Sequence, residues 1–129
     1  MFIGLRTVIY PAPDLAASKA WFSGVLGQAP YFDEPFYVGY EVGGFELGLN
    51  PEADPGDGPV TYWGVRDADA ALAALLDAGA AAHSAVTEVG GGIRVASVRE
   101  PAGGVLGIIE NPHFALPAAP SAGEGGPGR

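Results

Sequence analysis

The chain has 129 residues, 48% of them hydrophobic and 16% charged, with a formal net charge of −9 and no cysteine. That length is one domain's worth and enough to bury a core. Without cysteine there is no disulfide, no thiolate metal site and no cysteine nucleophile, and the acidic balance predicts repulsion from phosphate backbones, hence no nucleic-acid partner.

No apolar run approaches the roughly 18 residues of a membrane span. The first residues lack the charged-then-apolar pattern of a secretory leader. The expectation is a cytoplasmic protein with no membrane partner. Its negative field would draw cationic ligands within about a Debye length, roughly 8 Å at physiological salt.

In chain order, Met1–Arg6 leads into a short β-rich run, Thr7–Tyr10, which Pro11 and Pro13 end because proline lacks the ladder N–H. Asp14 reads as a helix N-cap, Leu15, Trp21, Phe22 and Val25 as the apolar face, and Gly27 as the stop. A short strand within Gln28–Asp33 precedes a third at Phe36–Val42, the Gly43-Gly44 turn and a fourth strand at Gly44–Asn50. Pro51–Pro59, PEADPGDGP, is breaker-rich and reads as a linker. Beyond it come a strand at Val60–Val65, the N-cap Asp67, and a helix over Ala68–Ala78 with Leu72, Leu75 and Leu76 inward and Gly79 closing it. A weak strand near Ala82–Val86, the Gly90–Gly92 turn and strands at Ile93–Arg99 and Gly104–Glu110 follow. The tail, Pro117–Arg129, has the composition of a disordered segment.

The two halves repeat. Asp14 and Asp67 play the same capping part 53 positions apart, and the strand ends FELGLNP (Phe45–Pro51) and LGIIENP (Leu106–Pro112) recur at an offset of 61. Each unit reads βαβββ, over 5–50 and 60–113, within one α+β domain spanning 1–116.

Two βαβββ units, a first strand followed by Pro-Asp-Leu, a helix ending Trp-Phe-x-x-x-Leu-Gly, and the turn Glu100-Pro101-Ala102-Gly103 before the last strand together resemble the vicinal oxygen chelate superfamily. That group holds glyoxalase I, extradiol dioxygenases and the bleomycin-resistance proteins. The resemblance implies an open barrel around a cleft, and commonly a homodimer with each cleft built from one chain or from two. Its metalloenzymes place one ligand on each of four strands. Carried over, those positions are Thr7, Glu46, Val60 and Gly107, and only Glu46 is a strong donor. Divalent ions need several oxygen or imidazole ligands, so no metal and no other cofactor is expected, and the chain looks closest to the metal-free bleomycin-resistance-like members.

If Thr7 faces the cleft, alternation brings Ile9, Gly44, Glu46, Gly48, Val60, Tyr62, Gly64, Val105, Gly107 and Ile109 with it, and sends Phe45, Leu47, Leu49, Trp63 and Val65 toward the helices. The glycines at 44, 48, 64 and 107 then either leave room for a ligand or serve twist and packing. The aromatics Tyr31, Phe32, Phe36, Tyr37 and Tyr40 divide between core and cleft. Tyr40 is taken as a candidate ligand contact, although the face of its strand that lines the cleft stays open. Glu46 would bind a cationic or hydrogen-bonding ligand, pair with Arg94, or serve as a general base. His83 and His113 read as surface or capping residues. No Ser/His/Asp order that the repeat would bring together is visible, and Gly90–Gly92 is a turn, not a phosphate loop.

Two functions follow. The first is a metal-independent small-molecule binder that would sequester an antibiotic or other aromatic natural product, with Thr7, Ile9, Tyr40, Glu46, Val60, Tyr62, Arg94, Gly107 and Ile109 as contacts. The second is a lyase or isomerase of the same fold, with Glu46 as base or metal ligand; whether the chain is an enzyme stays open.

Overall fold

A computed structural model describes residues 1–113; the expected domain end at 116 and the tail over 117–129 lie outside the described residues. The first unit is β1 (Gly4–Pro11), α1 (Leu15–Leu26), β2 (Phe32–Glu34), β3 (Tyr37–Val42) and β4 (Phe45–Asn50). The second is β5 (Val60–Gly64), α2 (Ala68–Asp77), β6 (Ala81–Glu88), β7 (Arg94–Arg99) and β8 (Val105–Glu110). The linker carries a single 3-10 turn, Pro55–Asp57. Both units are βαβββ. β6 is longer than expected because, as an edge strand, it follows β7 through two register irregularities.

Matching local chemistry builds the two halves. Asp14 caps α1 by accepting from the Ala17 N–H at 3.1 Å, and Asp67 caps α2 by accepting from the Ala70 N–H at 3.1 Å. Asn50 and Asn111, each followed by proline, accept through Oδ1 from the N–H two residues on, both at 2.8 Å. Gly27 ends α1 at φ 69°, a left-handed conformation that favours glycine.

The eight strands form one open sheet in the order β2-β3-β4-β1-β5-β8-β7-β6. β1 runs parallel to β4, β5 runs parallel to β8, and the antiparallel pair β1–β5 joins the units at the centre. Two cores lie between helices and sheet. Ala12, Val38, Tyr40 and Leu49 pack with Leu15, Phe22 and Leu26 of α1. Val65, Ala96 and Ile108 pack with Ala68, Ala71, Leu72 and Leu75 of α2. The opposite face of the sheet is the cleft.

This division settles the third strand and corrects one expected contact. Val38 and Tyr40 face α1, so Tyr37 and Gly39 face the cleft. Tyr40 is wholly buried; its hydroxyl donates to the Lys19 carbonyl at 3.0 Å and accepts from the Ser23 hydroxyl at 2.8 Å. It is a core residue, held by hydrogen bonds that only the helix side can supply. On α1 the inward, half-buried stripe is Leu15, Phe22 and Leu26, while Trp21 and Val25 turn outward. Phe45 is exposed beside the hairpin turn, and Trp63 stacks on Phe2 with ring centroids 5.3 Å apart.

Replacing Tyr40 with Phe leaves the Lys19 carbonyl and Ser23 hydroxyl without their buried partner. The expected loss is about 1–2 kcal/mol in urea unfolding, against a change within about 0.5 kcal/mol for Trp21→Ser on the exposed stripe.

Candidate functional site

Strand register fixes which cleft residues meet. Glu46 pairs with Thr7, Thr7 with Tyr62, Tyr62 with Gly107, and Gly107 with Ser97. One row therefore crosses β4, β1, β5, β8 and β7. Thr7 stands to Glu46 as Tyr62 stands to Gly107, so the second-unit counterpart of Thr7 is Tyr62. Val60, the expected counterpart, instead pairs with Ile9. The capping aspartates misled because seven positions separate Thr7 from Asp14 and only five separate Tyr62 from Asp67.

Glu46 is the centre of the first-unit half. Its carboxylate accepts from the Tyr31 hydroxyl at 2.6 Å and the Thr7 hydroxyl at 3.3 Å. Gly39 makes room for it, since a Cβ there would lie 2.8 Å from Oε2. Desolvation, with the charge and hydrogen bonding of Glu46, raises the phenols of Tyr31 and Tyr37 above their ordinary value. Tyr31 is exposed over much of its ring, so the effect acts at its hydroxyl end. Burial alone raises the Tyr62 phenol.

The groove glycines are occupied ground. A Cβ on Gly48 would overlap the Tyr37 hydroxyl, and a Cβ on Gly107 would lie 2.5 Å from the Tyr62 ring. A bulge between Leu5 and Thr7 lays the buried Arg6 guanidinium over Gly64, where a Cβ would meet Nε at 2.8 Å. These glycines admit protein side chains and do not open an empty trough.

The second-unit half carries a cluster the sequence did not reveal. His83 Nδ1 and the Ser97 hydroxyl are hydrogen-bonded at 2.8 Å, and His83 Nε2 lies 3.7 Å from Asp57 Oδ2. The Arg99 guanidinium reaches the other oxygen of Asp57 at 3.0 Å. The repeat was not expected to bring Ser, His and Asp together, and it does not: the aspartate comes from the linker, outside the repeat. Ser97 is only 3% exposed, so it orients the imidazole and offers no accessible nucleophile. His113, as expected, is a surface residue; its Nε2 meets the Gly91 carbonyl at 2.6 Å.

Arg94 does not reach Glu46. It pairs with Asp69 at 2.6 Å and Glu110 at 3.1 Å, and Glu110 also accepts from the Ala68 N–H that opens α2. Arg94 therefore belongs to the helix side. Thr7, Ile9, Glu46, Val60, Tyr62, Gly107 and Ile109 share the cleft face. Tyr31 and Tyr37, which the sequence left divided between core and cleft, are the neighbours of Glu46; alternation along β3 was the available signal for Tyr37.

A divalent ion in this cleft would need several strong donors along the row. It offers one carboxylate, two hydroxyls, one phenol and a glycine, and among the described residues no group of three His, Asp or Glu converges to hold a metal. The residues present do not fit a metal centre.

The raised phenols give a pH dependence. Tyr31, Tyr37 and Tyr62 hold their protons more tightly folded than unfolded, so their contribution is complete below the ordinary phenol value of 10.0 and is lost as pH rises past it. Unfolding free energy is expected to fall as pH rises above about 10 and to go on falling at higher pH. Glu46→Gln is expected to bring phenolate absorbance to lower pH in an alkaline titration of the folded protein, because it removes the charge beside two phenols.

Neither a family model nor a curated protein matches the chain. Solved structures do. A glyoxalase/bleomycin resistance protein/dioxygenase superfamily member from Vibrio splendidus 12B01 aligns with TM-score 0.63 at 19% identity, covering 81% of this chain and 97% of its own. A variant of methylmalonyl-CoA epimerase from Streptomyces coelicolor, in complex with 2-nitronate-propionyl-CoA, aligns with TM-score 0.68 at 15% identity over 91% of this chain and all of its own. A Legionella pneumophila chain described as NAD-dependent benzaldehyde dehydrogenase aligns with TM-score 0.65 at 17% identity, covering 80% and 96%. At these identities the likeness speaks to architecture: the chain has the vicinal oxygen chelate fold, two βαβββ units in one open sheet around a cleft.

Proposed function

We propose that the chain binds a small molecule in its cleft without a metal ion, sequestering a planar aromatic compound that carries a cationic or hydrogen-bond-donating group. The observation behind this reading is the Glu46 carboxylate on the cleft face, held by the Thr7 and Tyr31 hydroxyls and flanked by the rings of Tyr31 and Tyr37. A charge there is costly unless a ligand or hydroxyls compensate it, and aromatic faces favour both planar rings and cations. An antibiotic or a related natural product is the proposed ligand class. The two units share one sheet within a single chain, so each copy of a homodimer would carry its own cleft.

The second reading is a metal-independent isomerase or lyase with Glu46 as base. It is favoured by the epimerase among the fold relatives. Against it, Thr7 and Tyr31 each donate to one oxygen of Glu46, leaving fewer lone pairs for a substrate proton.

Titration with proflavine, a planar aromatic cation, tests the first reading through quenching of tyrosine and tryptophan fluorescence. Saturable binding is expected, weakened roughly tenfold by Glu46→Gln, the effect of one charge-assisted contact. Equal affinity of the variant, or no quenching at millimolar dye, would contradict it.

A further inference from the structure

The second-unit half of the cleft holds an ion-pair cluster that the Glu46 reading does not use. Arg99 and His83 project from neighbouring strands, where Ala81 pairs with Arg99 and Ser84 with Ser97. Ser97 shares the cleft face with Gly107 and Tyr62 through the row of paired positions, and Arg99, two residues on, shares it too. The Ser97 hydroxyl on Nδ1 turns His83 Nε2 toward Asp57. Arg99 is itself braced, donating through one guanidinium nitrogen to the Gly103 carbonyl at 2.9 Å while the other meets Asp57.

The carboxylate that these groups receive belongs to neither strand. It comes from the linker, where the Asp54 side chain accepts from the Gly56 N–H at 2.8 Å and sets the 3-10 turn that presents Asp57. The Asp57 side chain is 18% exposed, those of His83 and Arg99 33% and 40%. A guanidinium and an imidazole, fixed by the sheet and converging on one carboxylate from a short tether, form a carboxylate receptor with an internal occupant.

We propose that Arg99 and His83 form a carboxylate-binding subsite of the cleft, positioned by Ser97, and that Asp57 fills it until a ligand carboxylate displaces it. Arginine suits this task because its planar fork matches a carboxylate. The tethered Asp57 competes at an effective concentration of order millimolar, so free carboxylates bind weakly while it is in place. Displacement releases the linker turn from the end of the cleft. This inference shares only the cleft with the Glu46 reading; a ligand could use either half, and either can fail alone.

The test titrates the full chain with sodium benzoate and follows the ring signals of His83 and His113 by NMR. Asp57→Ala is expected to tighten benzoate binding at least tenfold, moving His83 and leaving His113 in place. Adding Arg99→Gln to that variant is expected to return the affinity to that of the unaltered chain, and benzamide, the neutral analogue, is expected to move neither histidine. In the unaltered chain, high benzoate is expected to shift His83 together with the amides of Gly56 and Gly58. Equal affinity with and without Asp57, equal shifts at both histidines, or no response of the unaltered chain at high benzoate would overturn the proposal. Benzoate carries no cationic group, so failure here leaves the Glu46 reading standing.

Discussion

The antiparallel pairing of β1 with β5 is the constraint on which the rest of the structure depends. It makes one sheet out of two units and sets Thr7 opposite Tyr62. Each of these strands then carries a parallel partner from its own unit, β4 or β8, so Glu46 and Gly107 fall into the same row. A slip of one residue would reverse the faces and send Thr7 and Tyr62 toward the helices. The bulge at Arg6 relieves the register between Leu5 and Thr7 and turns a guanidinium to the cleft face without disturbing that row.

The site is a consequence of filling that face with polar atoms whose demands are met within the protein. Among the described residues that are not exposed, no fully buried side-chain polar atom lacks a hydrogen-bond partner. Glu46 takes its donors from Thr7 on β1 and Tyr31 before β2. Asp57 accepts from Arg99 on β7 at 3.0 Å and faces the His83 imidazole of β6 at 3.7 Å. The cleft therefore has two ends of different chemistry, carboxylate among phenols at one and guanidinium with imidazole at the other. The aromatic Tyr62 lies between them. A chain with few cations has placed two of its six Lys and Arg side chains, Arg6 and Arg99, on this one face.

Much of the fold was legible because its signals are local. The capping aspartates, the Asn-Pro ends and the Gly-Gly turn each act within a few residues, and their repetition gave the βαβββ units and the α+β class. The face of β4 was legible too, since Glu46 alternates with Leu47 and Leu49. What was not legible depended on distance in sequence. The two-residue shortening between β5 and α2 displaced the apparent match from Tyr62 to Val60. The direction of Tyr40 was hidden because both faces of β3 carry an aromatic residue, and only Ser23 and Lys19 on α1 distinguish them. The partnership of Asp57 with residues 26 and 42 positions away could not be seen in a linker that reads as a mere spacer. The cleft face was thus half legible: Thr7, Glu46 and Tyr62 read onto it from strand alternation, Tyr31 and Tyr37 were named without a side, and the Arg99 cluster left no mark in the sequence.

On this reading the cleft works through side-chain carboxylate, phenol and guanidinium groups, with no metal ion. The direct measurement is the metal content of tag-free protein purified without chelator, before and after incubation with nickel, manganese, iron and zinc. Retention of well under one equivalent of every ion after desalting is the predicted result, because Thr7, Tyr62 and Gly107 add no strong donor to Glu46. Retention of any one ion near one equivalent, abolished by Glu46→Gln, would contradict this reading and make Glu46 a metal ligand.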